Sequence, residues 1–162
     1  MILILNNYMK KSKNILILLS TILTLSLIYF ANQRKTTFDL EKEYYNNAEL
    51  IEIDSNKLKK LEDQNKNFIL FVHTPGVCTF QIPFEPIVRK FITENKITIY
   101  SLSYNEIDNT SINKYLKYSP SIIIFKDGKM YKYLDPNSKK DLSYYQSLEN
   151  FTKWIKESVN LK

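Results

Sequence analysis

Cys78 is the only cysteine of the chain and the residue best suited to carry out chemistry. It lies between an apolar run at residues 68–72 and an amphipathic segment that holds Ile87 and Phe91. This pattern predicts a buried strand followed by a helix, with the thiol at the junction. The unpaired N–H groups and the positive dipole end at a helix start favour a thiolate over a thiol. Cys78 is therefore the predicted catalytic nucleophile.

His73, the only histidine, follows the same apolar run five residues before Cys78. Two interpretations are open: the imidazole acts on the sulfur as a base or cation, or it is a half-buried strand residue without a chemical role. The second is favoured, because no carboxylate is placed in the sequence to orient the ring. One histidine and one cysteine are too few ligands for a closed zinc site, so we predict no metal and no cofactor.

A net charge of +6 does not by itself indicate nucleic-acid binding. The first 35 residues carry five basic side chains and no acid, which leaves +1 for the remainder. A nucleic-acid-binding protein needs a basic stripe on the folded domain, and interleaved lysine, aspartate and glutamate do not form one. We therefore expect no nucleic-acid partner.

The N-terminal basic residues indicate membrane topology instead. Lys10, Lys11 and Lys13 precede residues 14–31, which contain no charged side chain. The segment is at the short end for a helix that spans a bilayer, and we interpret it as an uncleaved signal anchor. Removal by signal peptidase is the disfavoured alternative, because Tyr29 stands where the enzyme requires a small residue.

Lysines before the span place the N-terminus in the cytoplasm and the body outside the cell membrane, in a single-pass arrangement. The predicted organisation is a basic cytoplasmic N-terminus (1–13), the transmembrane anchor (14–31), a polar linker (32–47) and an extracytoplasmic domain (48–162).

Hydrophobic periodicity within the domain predicts alternating strands and helices. The strands fall at residues 49–53, 68–73, 97–102, 121–125 and 130–134, and the helices start at Asp54 or Ser55, follow Cys78, and cover 111–118 and 147–158. Asp127-Gly128 suits a type I′ hairpin turn, because glycine accepts a positive φ. Trp154 falls on the apolar face of the last helix and is predicted to be core. The order favours an α/β fold, a mixed sheet with helices on both faces.

Residues 68–91 and 118–128 together resemble the thioredoxin family, and the resemblance extends over nearly all of the domain. Cys78 matches the family's N-terminal active-site cysteine, and Pro86 follows it at the distance of the helix-kinking proline. Pro120 matches the cis-proline. The resemblance implies that Ser119 and Pro120 bind the backbone of a protein or peptide substrate beside the active-site sulfur.

The layout of two further segments resembles a narrower group, the bacteriocin transport accessory proteins. These segments are the extra strand and helix at residues 49–64 and the stretch 144–154. This resemblance implies partners among exported peptides or proteins.

The active-site motif departs from the family pattern. Cys-x-x-Cys reads here as Cys78, Thr79, Phe80 and Gln81, and the tryptophan before the first cysteine is Val77. The buried acid that assists proton transfer is replaced by Val72. Glutamine cannot attack a disulfide, so the resolving thiol is missing and a mixed disulfide with the substrate should persist until an external thiol clears it.

Three functions stay open. The first is monothiol chemistry, in which Cys78 forms mixed disulfides with extracytoplasmic thiols or disulfides and assists folding or export. The second is a binding module that holds peptides without redox change. The third is a peroxiredoxin-like peroxidase, suggested by residues 74–78; here Thr74 lies one residue too far from the cysteine and the domain's one arginine, Arg89, falls on the next helix.

Overall fold

The computed structural model describes residues 20–24, 37–75 and 83–161. The chain divides into two units, Met1–Thr36 and Thr37–Lys162. In the first unit, residues 20–24 form an exposed helical turn, and the rest of the predicted anchor lies outside the described residues. No helix within the described ranges is both long enough and apolar enough to cross a bilayer. The anchor therefore stays a prediction.

Five strands form the sheet of the second unit. They are β1 (Leu50–Ile53), β2 (Phe68–His73), β3 (Ile99–Ser103), β4 (Ser121–Lys126) and β5 (Lys129–Tyr133), in the spatial order β1-β3-β2-β4-β5. The first three are parallel, and β4 and β5 run antiparallel to their neighbours. The mixed sheet predicted from the sequence is confirmed.

Four α-helices accompany the sheet in the described part of the chain. They are α1 (Ser55–Asp63), α2 (Phe84–Asn95), α3 (Leu142–Gln146) and α4 (Leu148–Lys156), with 3-10 helices at Lys42–Tyr44 and Tyr104–Asn109. The predicted cap of α1 is confirmed, because the Asp54 carboxylate accepts a hydrogen bond from the Lys57 N–H at 2.7 Å. Ser147 caps α4 in the same way, through the Asn150 N–H at 3.1 Å.

Both faces of the sheet are covered. Alternate residues of β2 point to opposite sides, and the side chains on each side have packing partners. Phe71 packs against Phe84 of α2, with ring centroids 6.1 Å apart. Phe68, on the other face, packs against Tyr100, whose ring in turn meets Tyr44 of the first 3-10 helix. The α2 face continues into an aromatic core with α4, and the predicted core residue Trp154 is 2% exposed.

The turn between β4 and β5 has the predicted geometry. Asp127 has φ 51° and Gly128 has φ 68°, and a type I′ turn requires positive φ at both central residues. The Gly128 N–H donates to the Lys66 carbonyl at 3.0 Å, so the turn is also tied to the loop that precedes β2.

The helix predicted at residues 111–118 is wrong. The chain instead forms the 3-10 helix Tyr104–Asn109 and an irregular turn, in which Ile112 and Leu116 are buried and Tyr115 is exposed. The Thr110 hydroxyl donates to the Ile107 carbonyl at 2.6 Å, and the Asn113 amide donates to the Asp108 carbonyl at 3.1 Å, so both side chains bond back to the preceding 3-10 helix. Such local bonds from threonine and asparagine favour a turn at this position over the start of a helix.

The N-terminal boundary of the domain also differs from the prediction. Residues 37–47, placed in the linker by the sequence, belong to the second unit. Leu40, Tyr44 and Tyr45 are buried there. The Phe38 N–H donates to the Ser158 carbonyl at 2.9 Å, and this bond joins residues 37–47 to the C-terminal segment. The aromatic and apolar side chains scattered through a polar stretch provide the contacts that hold it.

Candidate functional site

The predicted nucleophile and its motif lie outside the described residues. This applies to Cys78 and to its neighbours Val77, Thr79, Phe80 and Gln81. The described chain stops at Pro75, which is exposed, and resumes at Pro83, also exposed. The role of Cys78 therefore stays a prediction, and the geometry of the site comes from the residues on either side.

The described chain resumes just before a helix, and the predicted helix start beside Cys78 lies outside the described residues. Helix α2 begins at Phe84, and Pro83 before it is extended, with φ −67° and ψ 99°. Helical structure therefore does not run continuously back from α2 to Cys78. Pro86 lies in the first turn of α2, where a backbone N–H has no helical partner and proline is tolerated.

The loop before β4 contains the cis peptide bond that the resemblance implied. The Ser119–Pro120 bond is cis, and both residues are half-buried. The Ser119 hydroxyl is hydrogen-bonded to the hydroxyl of Thr74, the first residue after β2. The cis-proline loop is thereby joined to the strand end from which the chain continues towards Cys78.

Ser121, the first residue of β4, links the cis-proline loop to the end of the β4–β5 hairpin. Ser121 pairs with Val72 in the sheet, and its hydroxyl donates to the Leu134 carbonyl. The Tyr145 hydroxyl donates to the same carbonyl at 3.0 Å. Burial raises the pKa of the Tyr145 phenol above its ordinary value, so this group stays a donor across the neutral range. The cis-proline loop is thus held on both sides.

His73 has a carboxylate partner that the sequence did not reveal. Its Nε2 lies 3.0 Å from Glu52 Oε2 and 3.1 Å from Oε1. The Ser101 hydroxyl donates to the same carboxylate, and the imidazole stacks on Phe71 with ring centroids 5.7 Å apart. The three polar residues come from β1, β2 and β3, whose parallel pairing places Glu52 opposite Ser101. The argument that the ring lacks an orienting acid is therefore wrong.

A cavity of about 170 Å³ lies beside this cluster. Its lining includes Glu52, His73 and Ser101 from the sheet and Glu85 and Arg89 from α2. Arg89 donates to Glu85 Oε1 through Nε at 2.8 Å, and its Nη2 lies 2.7 Å from the same oxygen. A sequence search for acids at the polar positions of β1 and on the first turn of α2 would have found both carboxylates, but not their convergence.

The two residues whose placement departs from a peroxidase pattern have other partners in this structure. The Thr74 hydroxyl bonds to Ser119, and the Arg89 guanidinium pairs with Glu85. Neither contact supports a peroxidatic site. Within the described ranges, no three histidine, aspartate or glutamate side chains converge as metal ligands.

No protein-family model matches the chain, and no curated protein matches it significantly. Solved structures do. A point mutant of thioredoxin from Halobacterium salinarum NRC-1 is 12% identical, with a TM-score of 0.53 over 72% of this chain and 96% of that one. Mitochondrial thioredoxin 3 from Saccharomyces cerevisiae is 14% identical, with a TM-score of 0.47 over 67% and 94%. Thioredoxin from Trypanosoma brucei brucei is 16% identical, with a TM-score of 0.44 over 72% and 99%.

The class of protein follows from the sheet order, the cis-proline loop and the similarity to the Halobacterium structure. This chain has a thioredoxin-like fold. At this level of identity the similarity establishes the fold alone, and the narrower resemblance to bacteriocin transport accessory proteins stays a prediction.

Proposed function

We propose that the chain is a membrane-anchored, extracytoplasmic thioredoxin-like protein that forms mixed disulfides through Cys78. The hydrogen bond between Thr74 and Ser119 carries this proposal. It joins the end of β2, from which the chain continues towards Cys78, to the cis-proline loop. Cys78 follows Thr74 by four residues in the sequence. A partner backbone held at Ser119 and Pro120 would present its sulfur close to the end of β2.

The chemistry is a single thiol–disulfide exchange. The Cys78 thiolate attacks one sulfur of a partner disulfide, a new S–S bond forms, and the second partner sulfur leaves as a thiolate and takes up a proton. Gln81 offers no thiol to reverse this step from within the motif. The mixed disulfide lasts until an external thiol attacks it, which suits a protein that retains substrates during folding or export.

The anchor is part of the proposal. Uncharged residues 14–31 follow three lysines, which supports a span with the domain on the outer side of the cell membrane. The partners would be secreted proteins or peptides, including bacteriocins if the narrower resemblance holds.

A trapping experiment tests the thiol chemistry. Cells that express the full chain are quenched with acid and alkylated, and the protein is analysed by non-reducing electrophoresis and mass spectrometry. We expect adducts on Cys78 that disappear on reduction and in Cys78→Ser. The proposal fails if the folded protein carries no adduct and its thiol reacts with iodoacetamide only after unfolding.

A binding module without redox chemistry is the second candidate. It is favoured by the extended backbone of Pro83, which separates the Cys78 segment from α2 along the chain, so that Cys78 is not part of the first turn of α2. On this alternative, a partner recovered with the wild type is recovered equally with Cys78→Ser. Substitution of the loop, for example Pro120→Ala, would abolish recovery in either case.

A further inference from the structure

Two exposed aromatic side chains lie on the stretch of chain that leads into the cis-proline loop. Tyr115 is 44% exposed and Tyr118 is 50% exposed, and Ser119 follows directly. Tyrosine is a frequent residue at protein interfaces, because its ring covers apolar surface while its hydroxyl stays hydrated. We call residues 114–118 the tyrosine loop.

Buried neighbours hold the backbone of the tyrosine loop. Ile112 is fully buried and Leu116 is 4% exposed. The Ile112 carbonyl accepts two hydrogen bonds, from the Tyr115 N–H at 2.9 Å and from the Leu116 N–H at 3.0 Å. The exposed side chains are therefore presented on a preformed surface, which lowers the ordering cost of binding a ligand.

The tyrosine loop is also basic. Lys114 and Lys117 are exposed, and no acidic residue occurs in the sequence between Asp108 and Asp127. Within the described part of the chain, neither lysine forms an ion pair. Lys114 Nζ lies 4.8 Å from the ring centroid of Tyr115, a cation–π contact that holds the charge beside the aromatic ring.

The carboxylates nearest in the sequence or in contact with this region lie before the loop. Asp108 lines a shallow depression together with Lys114, and the Glu62 carboxylate accepts a hydrogen bond from the Ser111 hydroxyl. Lys117 comes after all of these contacts and two residues before Ser119. The positive charge is therefore found on the side of the loop that adjoins the cis-proline.

We propose that the tyrosine loop binds an acidic segment of a partner protein, one that also carries an aromatic or aliphatic side chain. The proposal rests on the proposed function for the identity of this partner, which is the chain held at Ser119 and Pro120, but not for the binding itself.

Each part of such a ligand has a counterpart on the loop. Its carboxylates meet the ammonium groups of Lys114 and Lys117, each of which has three N–H donors. Its apolar side chain packs on the rings of Tyr115 and Tyr118. A basic ligand would be repelled by both lysines, and a ligand with carboxylates alone would leave the rings uncovered.

The same ligand can reach the cis-proline loop. Lys114 precedes Ser119 by five residues, which span at most about 18 Å. An extended ligand rises about 3.3 Å per residue, so about six of its residues cover this distance. The acidic positions of the partner should therefore fall within about six residues of the stretch that the cis-proline loop holds.

Peptide binding to the full chain in a nonionic detergent tests the proposal. The protein carries Cys78→Ser, so no disulfide contributes. Fluorescein-labelled Asp-Glu-Phe-Asp-Glu-Leu should give a saturable rise in fluorescence anisotropy that weakens at about 0.5 M NaCl, because salt screens exposed charges. The neutral analogue Asn-Gln-Phe-Asn-Gln-Leu should bind about tenfold more weakly or less. Equal binding of the two peptides, or no binding of the acidic one, overturns the proposal.

Matched pairs of lysine variants locate the binding surface. Lys114→Gln combined with Lys117→Gln should weaken binding of the acidic peptide about tenfold. Lys153→Gln combined with Lys156→Gln is the control, because these two lysines have the same spacing, are also exposed and lie on α4. The control removes the same charge and should leave the affinity unchanged. An equal loss in both double variants would show attraction to net charge alone and overturn the proposal.

A tyrosine variant tests the apolar contact. Tyr118→Ala should weaken binding about fivefold, and Tyr131→Ala is its control, since Tyr131 is 47% exposed but lies on β5. Unchanged affinity in Tyr118→Ala overturns the proposal. A wild-type dimer that Tyr118→Ala converts to a monomer in sedimentation would assign the loop to a second copy of the chain and overturn it as well. Because these measurements do not use the thiol, their failure is distinct from an absence of adducts on Cys78, which would overturn the proposed function.

Discussion

Thr74 and Ser119 join their hydroxyl groups across 45 residues of sequence, and this bond links the end of β2 to the cis-proline loop. Thr74→Val keeps the shape of the side chain and removes the donor and acceptor. We expect a loss of about 1 kcal/mol in the free energy of unfolding, measured by urea denaturation, because a net hydrogen bond contributes about that much. Thr74→Ser keeps the hydroxyl and is the control.

The pair itself is tested by a double-mutant cycle with Ser119→Ala. The second substitution should cost little once the first is present, since the bond is then already lost. Strictly additive losses would show that the two hydroxyls do not stabilise one another.

Restoring the second thiol should change the chemistry of the motif. Gln81→Cys recreates the Cys-x-x-Cys spacing with Cys78. The new thiol should expel the partner from the mixed disulfide, so adducts trapped in cells decrease and insulin reduction by dithiothreitol is accelerated. Gln81→Ser, which adds no thiol, is the control. If adducts persist in Gln81→Cys, the two side chains do not meet. The match of Cys78 to the N-terminal cysteine of the family motif is then wrong.

Gly128 is required for the turn between β4 and β5. It has φ 68°, and a Cβ built there would lie 2.1 Å from the Glu62 carbonyl oxygen and 2.9 Å from Asn65 Cα. Gly128→Ala should therefore destabilise the domain by at least about 2 kcal/mol, through strain and a backbone clash. Asp127→Asn is the control, because asparagine tolerates the same left-handed region. A thermal midpoint equal to that of wild type in Gly128→Ala would refute this geometry.

The buried phenol of Tyr145 predicts sensitivity to alkali. Burial raises its pKa above the ordinary 10.0, and Asp141 and Asp135 add to the rise, while the Ser121 hydroxyl opposes it. A group whose pKa is raised on folding stabilises fully below the unfolded pKa, and the contribution is lost as the pH rises through the folded one. Stability should therefore fall above about pH 10.

Tyr145→Phe separates the two roles of this side chain. It removes the bond to the Leu134 carbonyl and should cost about 1 kcal/mol at pH 7. It also removes the ionising group, so its unfolding free energy should decline less than that of wild type between about pH 9 and 11. Parallel profiles for the two proteins would contradict the buried phenol. Tyr44, whose pKa burial also raises, should leave a residual alkaline decline in both.

Local patterns predicted most of the fold because local physics decides those elements. The side chains of residues 68–72 are all apolar, which predicted a buried strand. All five are buried in the structure. Asp54 caps α1, and Asp127-Gly128 forms its turn, through contacts within a few residues. The helix predicted at 111–118 does not form, because the side chains of Thr110 and Asn113 bond back to the carbonyls of Ile107 and Asp108 and favour a turn there.

The candidate site was less accessible to prediction. The partnership of His73 with Glu52 depends on β3 lying between β1 and β2, a fact of sheet order that no local pattern contains. The contact between Thr74 and Ser119 likewise depends on β2 and β4 being neighbours. The resemblance to thioredoxins located the cis-proline, since that position depends on one X-Pro dipeptide before an apolar strand.

The pairing of Phe38 with Val159 means that the domain starts and finishes at one place on its surface. A short peptide that joined residue 161 to residue 37 would make the domain circular. A circular permutant with new termini in another loop would then keep the sheet and its helices in place. A cargo fused after the last residue would emerge beside the point where the chain enters the domain, so an N-terminal tether and a C-terminal fusion would share one side of the protein.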